Sequence, residues 1–191
     1  MTGLLFIRHA ETDMAGAFCG HSDPPINTAG QRQVVHMIST LTSDSFDEIY
    51  SSDLRRAVDT ATLLSHAFAA SITTTSSLRE IHFGDWEGLT WTEIENRDPD
   101  YARQWIEAFP NLPAPNGESY IAFKDRVLRQ VNRLLSLAES KRIAVITHGG
   151  VMRVVLCSVL GHTNQQAWKV TKPYCSSFDC PGLIIPGRSC Q

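Results

Sequence analysis

Two short stretches of this 191-residue chain carry groups able to do chemistry. In "LLFIRHAETD" (residues 4–13) four apolar residues run straight into Arg8 and His9, and in "RIAVITHGGVMR" (142–153) an apolar run ends on His148, followed by Gly149 and Gly150. An imidazole near neutral pH is a nucleophile or proton carrier. A guanidinium presents N–H groups in the pattern that phosphate and carboxylate accept. "YSSDLRRAVDTA" (50–61) adds Arg55 and Arg56, and "SLREIHFGDWEG" (77–88) adds Glu80. Each has a plainer reading alone: a hydrogen-bonded structural histidine, a solvated arginine face, a surface Arg79–Glu80 pair. Together they describe an anion pocket with a titratable acid.

The elements that must position these groups are legible as hydrophobic periods. Strand-length apolar runs fall at 4–7, 47–51, 143–147 and near 183–185, with "SITTT" (71–75) a weaker candidate. Continuous rather than alternating runs predict strands covered on both faces. Between them, 53–69 carries Leu54, Ala57, Val58, Ala61, Leu64 and Phe68 on one stripe, and 119–138 carries Tyr120, Phe123, Val127, Val131, Leu134 and Ala138. A shorter helix is predicted over 28–41, capped by Asn27, and another over 151–160, stopping at Gly161. Alternating strands and helices predict an α/β three-layer sandwich with a mostly parallel sheet and helices on both faces. Ligands of such sheets bind beyond the carboxyl ends of the strands, where Arg8, His9 and His148 emerge. The N–H groups of Gly149 and Gly150 would open a helix there, as anions prefer. Residues 81–118 break the rhythm: they hold Trp86, Trp91 and Trp105 and end in "PNLPAPNGES", which predicts a small aromatic, Pro-rich cap within one domain spanning 1–191.

Composition removes several classes. With 42% hydrophobic and 19% charged residues the chain supports a full core. A net charge of −3 argues against a nucleic-acid partner. No apolar run approaches a membrane span, and no signal peptide is visible, so a cytoplasmic protein is expected, with its odd set of five cysteines reduced. There is no P-loop, no GxSxG elbow and no HExxH, and the histidines lack metal-ligand spacing. No metal and no cofactor are expected.

These residues resemble the histidine phosphatase superfamily, the phosphoglycerate-mutase-like proteins. "RHAET" (8–12) resembles its Arg-His-Gly hallmark, and "GHSDPPINTAGQRQ" (20–33), "SSDLRRAVDTA" (51–61), "LREIHFGDWEG" (78–88), "NGESYIAFKDRV" (116–127) and "VITHGG" (145–150) are similar to its later motifs, in the same order. The resemblance selects Arg56 over Arg55. It implies a phosphohistidine on His9, Glu80 as the general acid and base, and Arg8, Arg56, His148 and Gly149 around the phosphoryl group, with no metal. Three departures stand out: Ala10 for the hallmark glycine, Asn27 for the usual threonine, and Ala15 where many mutase-type members have an asparagine that contacts phosphate.

Mutase-type members hold a second phosphate with extra lysines and arginines after the acid. Here residues 86–118 offer Arg97 and Arg103 and no lysine, so the resemblance favours a phosphatase of small-molecule phosphate esters over a phosphoglycerate mutase. Among short phosphatases the features are most similar to α-ribazole-5′-phosphate phosphatases of cobalamin biosynthesis, with broad-specificity sugar phosphatases sharing most of them. A weakly active phosphate-binding or protein-binding relative is a further alternative, and a homodimer is left open.

Overall fold

The computed structural model describes residues 2–41 and 45–181. Five strands form one mixed sheet: β1 (Gly3–Arg8), β2 (Glu48–Ser52), β3 (Ser71–Thr75), β4 (Arg142–Thr147) and β5 (Ser177–Cys180), in the order β3-β2-β4-β1-β5. The pairs β1–β4, β2–β4 and β2–β3 are parallel, and β5 runs antiparallel to β1 at the edge. The weak candidate 71–75 is thus a strand. The expected run at 183–185 lies outside the described residues, and the edge strand observed is the less apolar "SFDC" just before it.

Seven α-helices connect the strands: α1 (Thr28–Thr40), α2 (Arg55–Phe68), α3 (Trp91–Arg97), α4 (Pro99–Ala108), α5 (Tyr120–Leu137), α6 (Gly149–Ser158) and α7 (Asn164–Thr171). Successive side chains of a strand point to opposite faces, and the core divides accordingly. Leu4, Phe6, Ile143 and Val145 pack with Phe123, Val127 and Val131 of α5 and Val151, Met152 and Val155 of α6. Leu5, Ile7, Ala144 and Ile146 pack on the other face with Val34 and Met37 of α1 and Ala57, Ala61 and Leu64 of α2. This is the expected three-layer arrangement. Truncating a fully buried leucine such as Leu4 or Leu64 to alanine costs about 2–5 kcal/mol in such cores.

Helix ends follow local chemistry. Asn27 caps α1 by accepting the Gly30 N–H at 2.8 Å, as the sequence predicted. The segment that holds the tryptophans builds its own small core of Trp86, Ile94, Ala102 and Ala114, flanked by Phe18, Phe83, Trp91 and Trp105. Its helices start with strong signals: a reciprocal Thr90–Glu93 capping box for α3, and Asp98 followed by Pro99 for α4. No helix among the described residues is long and apolar enough to cross a membrane. Cys19, Cys157, Cys175 and Cys180 are unpaired, and burial pushes the thiols of Cys175 and Cys180 up to about 12 and about 11.

Candidate active site

Parallel register explains how two histidines far apart in sequence meet. Arg8 pairs with Thr147 across β1 and β4, and the residue that follows each strand is a histidine. The His9 N–H continues the ladder to the Thr147 carbonyl at 2.8 Å, and the two imidazoles stand with centroids 5.0 Å apart. Both are buried, with His148 fully enclosed.

Hydrogen bonds assign the tautomers. His9 Nδ1 lies 2.7 Å from the carbonyl of Ala10, so its proton is donated there and the lone pair sits on Nε2. Nε2 faces the Nε–H of Arg56 at 3.3 Å. For His148, the Ser52 hydroxyl takes the Leu54 N–H at 3.3 Å and lies 2.9 Å from Nε2. Donation by that hydroxyl leaves the proton on Nδ1, which is buried without a partner among the described residues.

Both arginines donate from their forks to backbone carbonyls. Arg56 is 1% exposed, and its Nη1 and Nη2 donate to the carbonyls of Ser22 and Gly20, each at 2.7 Å. Its Nε–H is the donor that faces His9. Arg8 is held similarly: Nη1 donates to the Thr171 carbonyl at 3.0 Å and to that of Lys172, while Nε is buried without a partner among the described residues. The Tyr174 ring lies 4.2 Å from its guanidinium carbon. Arg55, by contrast, is a surface residue 4.0 Å from Asp59, its side chain 62% exposed.

Glu80 projects its carboxylate toward the start of α6. One oxygen accepts the Gly150 N–H at 2.9 Å and the other the Ile81 N–H at 3.0 Å. A Cβ on Gly150 would lie 2.0 Å from the Glu80 Oε1 atom, so this close approach requires glycine. Gly149 begins the helix beside Arg8, whose Nε would be 3.8 Å from a Cβ built there. The Arg79–Glu80 surface pair is not formed: Arg79 binds Asp53 through two 2.7 Å bonds instead.

The structure therefore brings Arg8, His9, Arg56, Glu80, His148 and Gly149 to one end of the sheet. Sequence reasoning did not single out the residues that hold them. Glu87 accepts the His21 N–H at 2.7 Å, the Ser22 hydroxyl at 2.9 Å and the Phe83 N–H at 3.2 Å, fixing the loop whose carbonyls grip Arg56. Thr60 accepts the Ala10 N–H at 3.1 Å. The stretch "FGDWEG" contains Glu87, but only tertiary placement shows which backbone groups it takes. Ala10 is buried in the core, whereas Ala15 is exposed.

A sequence profile of the histidine phosphatase superfamily (branch 1) matches residues 4–178. The chain belongs to this superfamily. As a histidine phosphatase it is 29% identical over 167 residues to an adenosylcobalamin/alpha-ribazole phosphatase of Escherichia coli, covering 86% of this chain and 82% of that one. It is 30% identical over 160 residues to a metal-independent phosphoserine phosphatase of Arabidopsis thaliana, covering 81% and 67%. The alpha-ribazole phosphatase of Shigella flexneri superposes with a TM-score of 0.78 at 28% identity, over 87% of this chain and 83% of that one. The enzyme is thus a phosphatase acting on a phosphate ester.

Electrostatics bias both histidines of this phosphatase toward the neutral form. Burial, then the Arg56 and Arg8 guanidinium groups, hold His9 well below the ordinary imidazole value of 6.5. Burial, Arg56 and the neighbouring His9 do the same to His148. In the unfolded chain both take up protons near ~6.5, whereas the native state refuses them. Stability is therefore expected to fall as pH drops below about 6.5, because the unfolded state then binds more protons. Thermal midpoints measured from pH 7 to pH 5 test this, and His9→Gln should show the shallower decline. An equal slope in the variant would contradict the assignment.

Proposed function

We propose that the enzyme hydrolyses phosphomonoesters through a phosphohistidine on His9. The observation that supports this most is the His9 Nε2 lone pair facing the Arg56 Nε–H, with Arg8 Nε and His148 Nδ1 buried and without partners among the described residues. A bound phosphoryl group has three equatorial oxygens. Arg8 Nε–H, Arg56 Nε–H and His148 Nδ1–H supply one donor each, with the Gly149 N–H at the helix N-terminus beside them. Because the fork nitrogens Arg56 Nη1 and Nη2 and Arg8 Nη1 are tied to backbone carbonyls, the donors are fixed before substrate arrives.

His9 Nε2 attacks phosphorus while the bond to the ester oxygen breaks and Glu80 transfers its proton to the departing alkoxide. The Glu80 carboxylate then takes a proton from water as that water attacks phosphorus, and the phosphorus–nitrogen bond breaks. Inorganic phosphate leaves, His9 returns to its starting state, and Glu80 is again protonated. Every step is carried by side chains of this chain, so turnover is expected to survive EDTA.

For the alcohol half, we favour α-ribazole 5′-phosphate, within the cytoplasmic cobalamin pathway. The named relatives from E. coli and S. flexneri support it. The cap argues only against a mutase: of its bases Arg97 and Arg103, the second is already bound to Asp100, which leaves little to hold a second phosphate. The tryptophans are largely spent on one another, with Trp86 and Trp105 centroids 5.2 Å apart and Trp86 5% exposed, so they offer little free face to a benzimidazole. The spread of names among similarly distant relatives, alpha-ribazole phosphatase and phosphoserine phosphatase, supports a second reading, a broad-specificity enzyme for small organic phosphates.

Phosphate release by the EDTA-treated protein separates these readings. The panel holds α-ribazole 5′-phosphate, phosphoserine, sugar phosphates, 3-phosphoglycerate and p-nitrophenyl phosphate. A preference for α-ribazole 5′-phosphate is expected. Similar rates across the panel would discard that substrate and retain the phosphatase. An absolute requirement for added magnesium would refute the mechanism.

A further inference from the structure

Glu80 lies in residues 79–83, a stretch without regular secondary structure between two short 3-10 turns. A proton donor must nevertheless be held within a fraction of an ångström of its acceptor. The carboxylate is anchored by two backbone N–H groups, and one of these belongs to the adjacent Ile81 and moves with the loop. Something else must fix the backbone of residue 80.

That role is filled from α5. Arg126 donates Nε and Nη2 to the two oxygens of Glu118 at 2.7 and 2.8 Å. The same guanidinium donates to three carbonyls, one in the preceding 3-10 turn and two in the loop: Nη1 to Ser77 at 3.2 Å and Arg79 at 2.8 Å, and Nη2 to Glu80 at 2.8 Å. The Glu80 carbonyl also lies 3.0 Å from the His21 ring nitrogen. Glu118 reaches the far side of the loop, accepting the His82 N–H at 3.4 Å, while its own N–H donates to the His82 carbonyl at 2.8 Å. Both side chains of the pair are 18% exposed, and the Phe123 ring lies 4.9 Å from the guanidinium carbon.

We propose that Arg126, aligned by Glu118, is the positioning residue for Glu80, clamping its main chain so that the carboxyl meets the ester oxygen. The inference rests on the proton-donor reading of Glu80 given above. A bare ion pair would need only Glu118. Here the planar fork satisfies a carboxylate on one side and successive carbonyls on the other, a pattern that lysine, with a compact ammonium, does not reproduce. Arg126 does not itself touch the reacting atoms; it acts through residue 80.

The test exploits the leaving group. An alkoxide needs a proton as it departs, whereas p-nitrophenolate hardly does. The ratio kcat/KM covers only the steps up to alcohol release, so dephosphorylation does not enter. Glu80→Gln should lose about 10²–10⁴-fold on an alkyl phosphomonoester and much less on p-nitrophenyl phosphate. Arg126→Lys and Glu118→Gln should show the same selectivity, losing roughly tenfold or more on the alkyl ester, and should add almost nothing in the Glu80→Gln background. Glu118→Gln preserves shape, so it carries the test if Arg126→Lys fails to fold by circular dichroism. Equal losses on both esters in the clamp variants, or full additivity with Glu80→Gln, would overturn the positioning role while leaving the acid in place. Equal losses on both esters in Glu80→Gln itself would remove the acid reading and the inference together.

Discussion

His9→Ala is expected to reduce turnover on the order of 10⁴-fold or more, the scale seen when a nucleophile is removed from a unit of cooperating groups. The expected loss follows from geometry. The donors around the phosphoryl position are held by Ser22, Gly20, Thr171 and Ser52, none of which depends on the His9 ring. Phosphate binding should therefore persist in His9→Ala while covalent transfer stops. Rapid acid-free quenching with labelled substrate should trap a phosphohistidine in the wild type and none in the variant. The fold should be kept, because the strand pairing at this position uses the His9 N–H rather than its ring. Normal turnover in His9→Ala would show that another group attacks phosphorus.

The second large effect belongs to Arg56. Its side-chain hydrogen bonds join the loop at Gly20 and Ser22 to His9, and the residue is 1% exposed. Arg56→Ala is expected to lower kcat/KM about 10²–10³-fold, as for loss of one preorganised donor to developing charge. Stability should also fall by about 1–3 kcal/mol as buried carbonyls lose their donor. Arg56→Lys should recover little, since one ammonium cannot serve Gly20, Ser22 and the site together. The pH profile distinguishes this from simple damage. After burial, Arg56 is the largest cause of the depressed His9 value. Without that cation the imidazolium is less disfavoured, so the acid limb of kcat/KM should move to higher pH. An unmoved acid limb would mean that Arg56 does not act on His9.

Arg8, His9 and His148 were legible because their neighbours are local, whereas Arg56 and Glu80 were selected by the family resemblance. An apolar strand followed by Arg8-His9, and another followed by His148-Gly149-Gly150, puts those groups at one sheet edge by the geometry of parallel strands alone. Asn27 and the stripes of α2 and α5 follow from capping and helical period in the same way. Short α3, α4 and α7 were not foreseen: each is made by its cap and by packing rather than by a long apolar period. The edge strand Ser177–Cys180 carries few strand-forming residues and is specified by antiparallel pairing with β1.

The sequence by itself determined the α/β class and which residue types could reach the pocket, since these depend on side-chain identity and on periods within single elements. Only the tertiary structure decided which atoms of those residues face the site. Arg56 Nη1 and Nη2 and Arg8 Nη1 donate to carbonyls far along the chain, Gly150 receives the Glu80 carboxylate, and Arg126 holds the Glu80 backbone from another helix. Each of these is a bond between groups far apart along the chain, set by the docking of loops onto the sheet, and no spacing within a single segment encodes it.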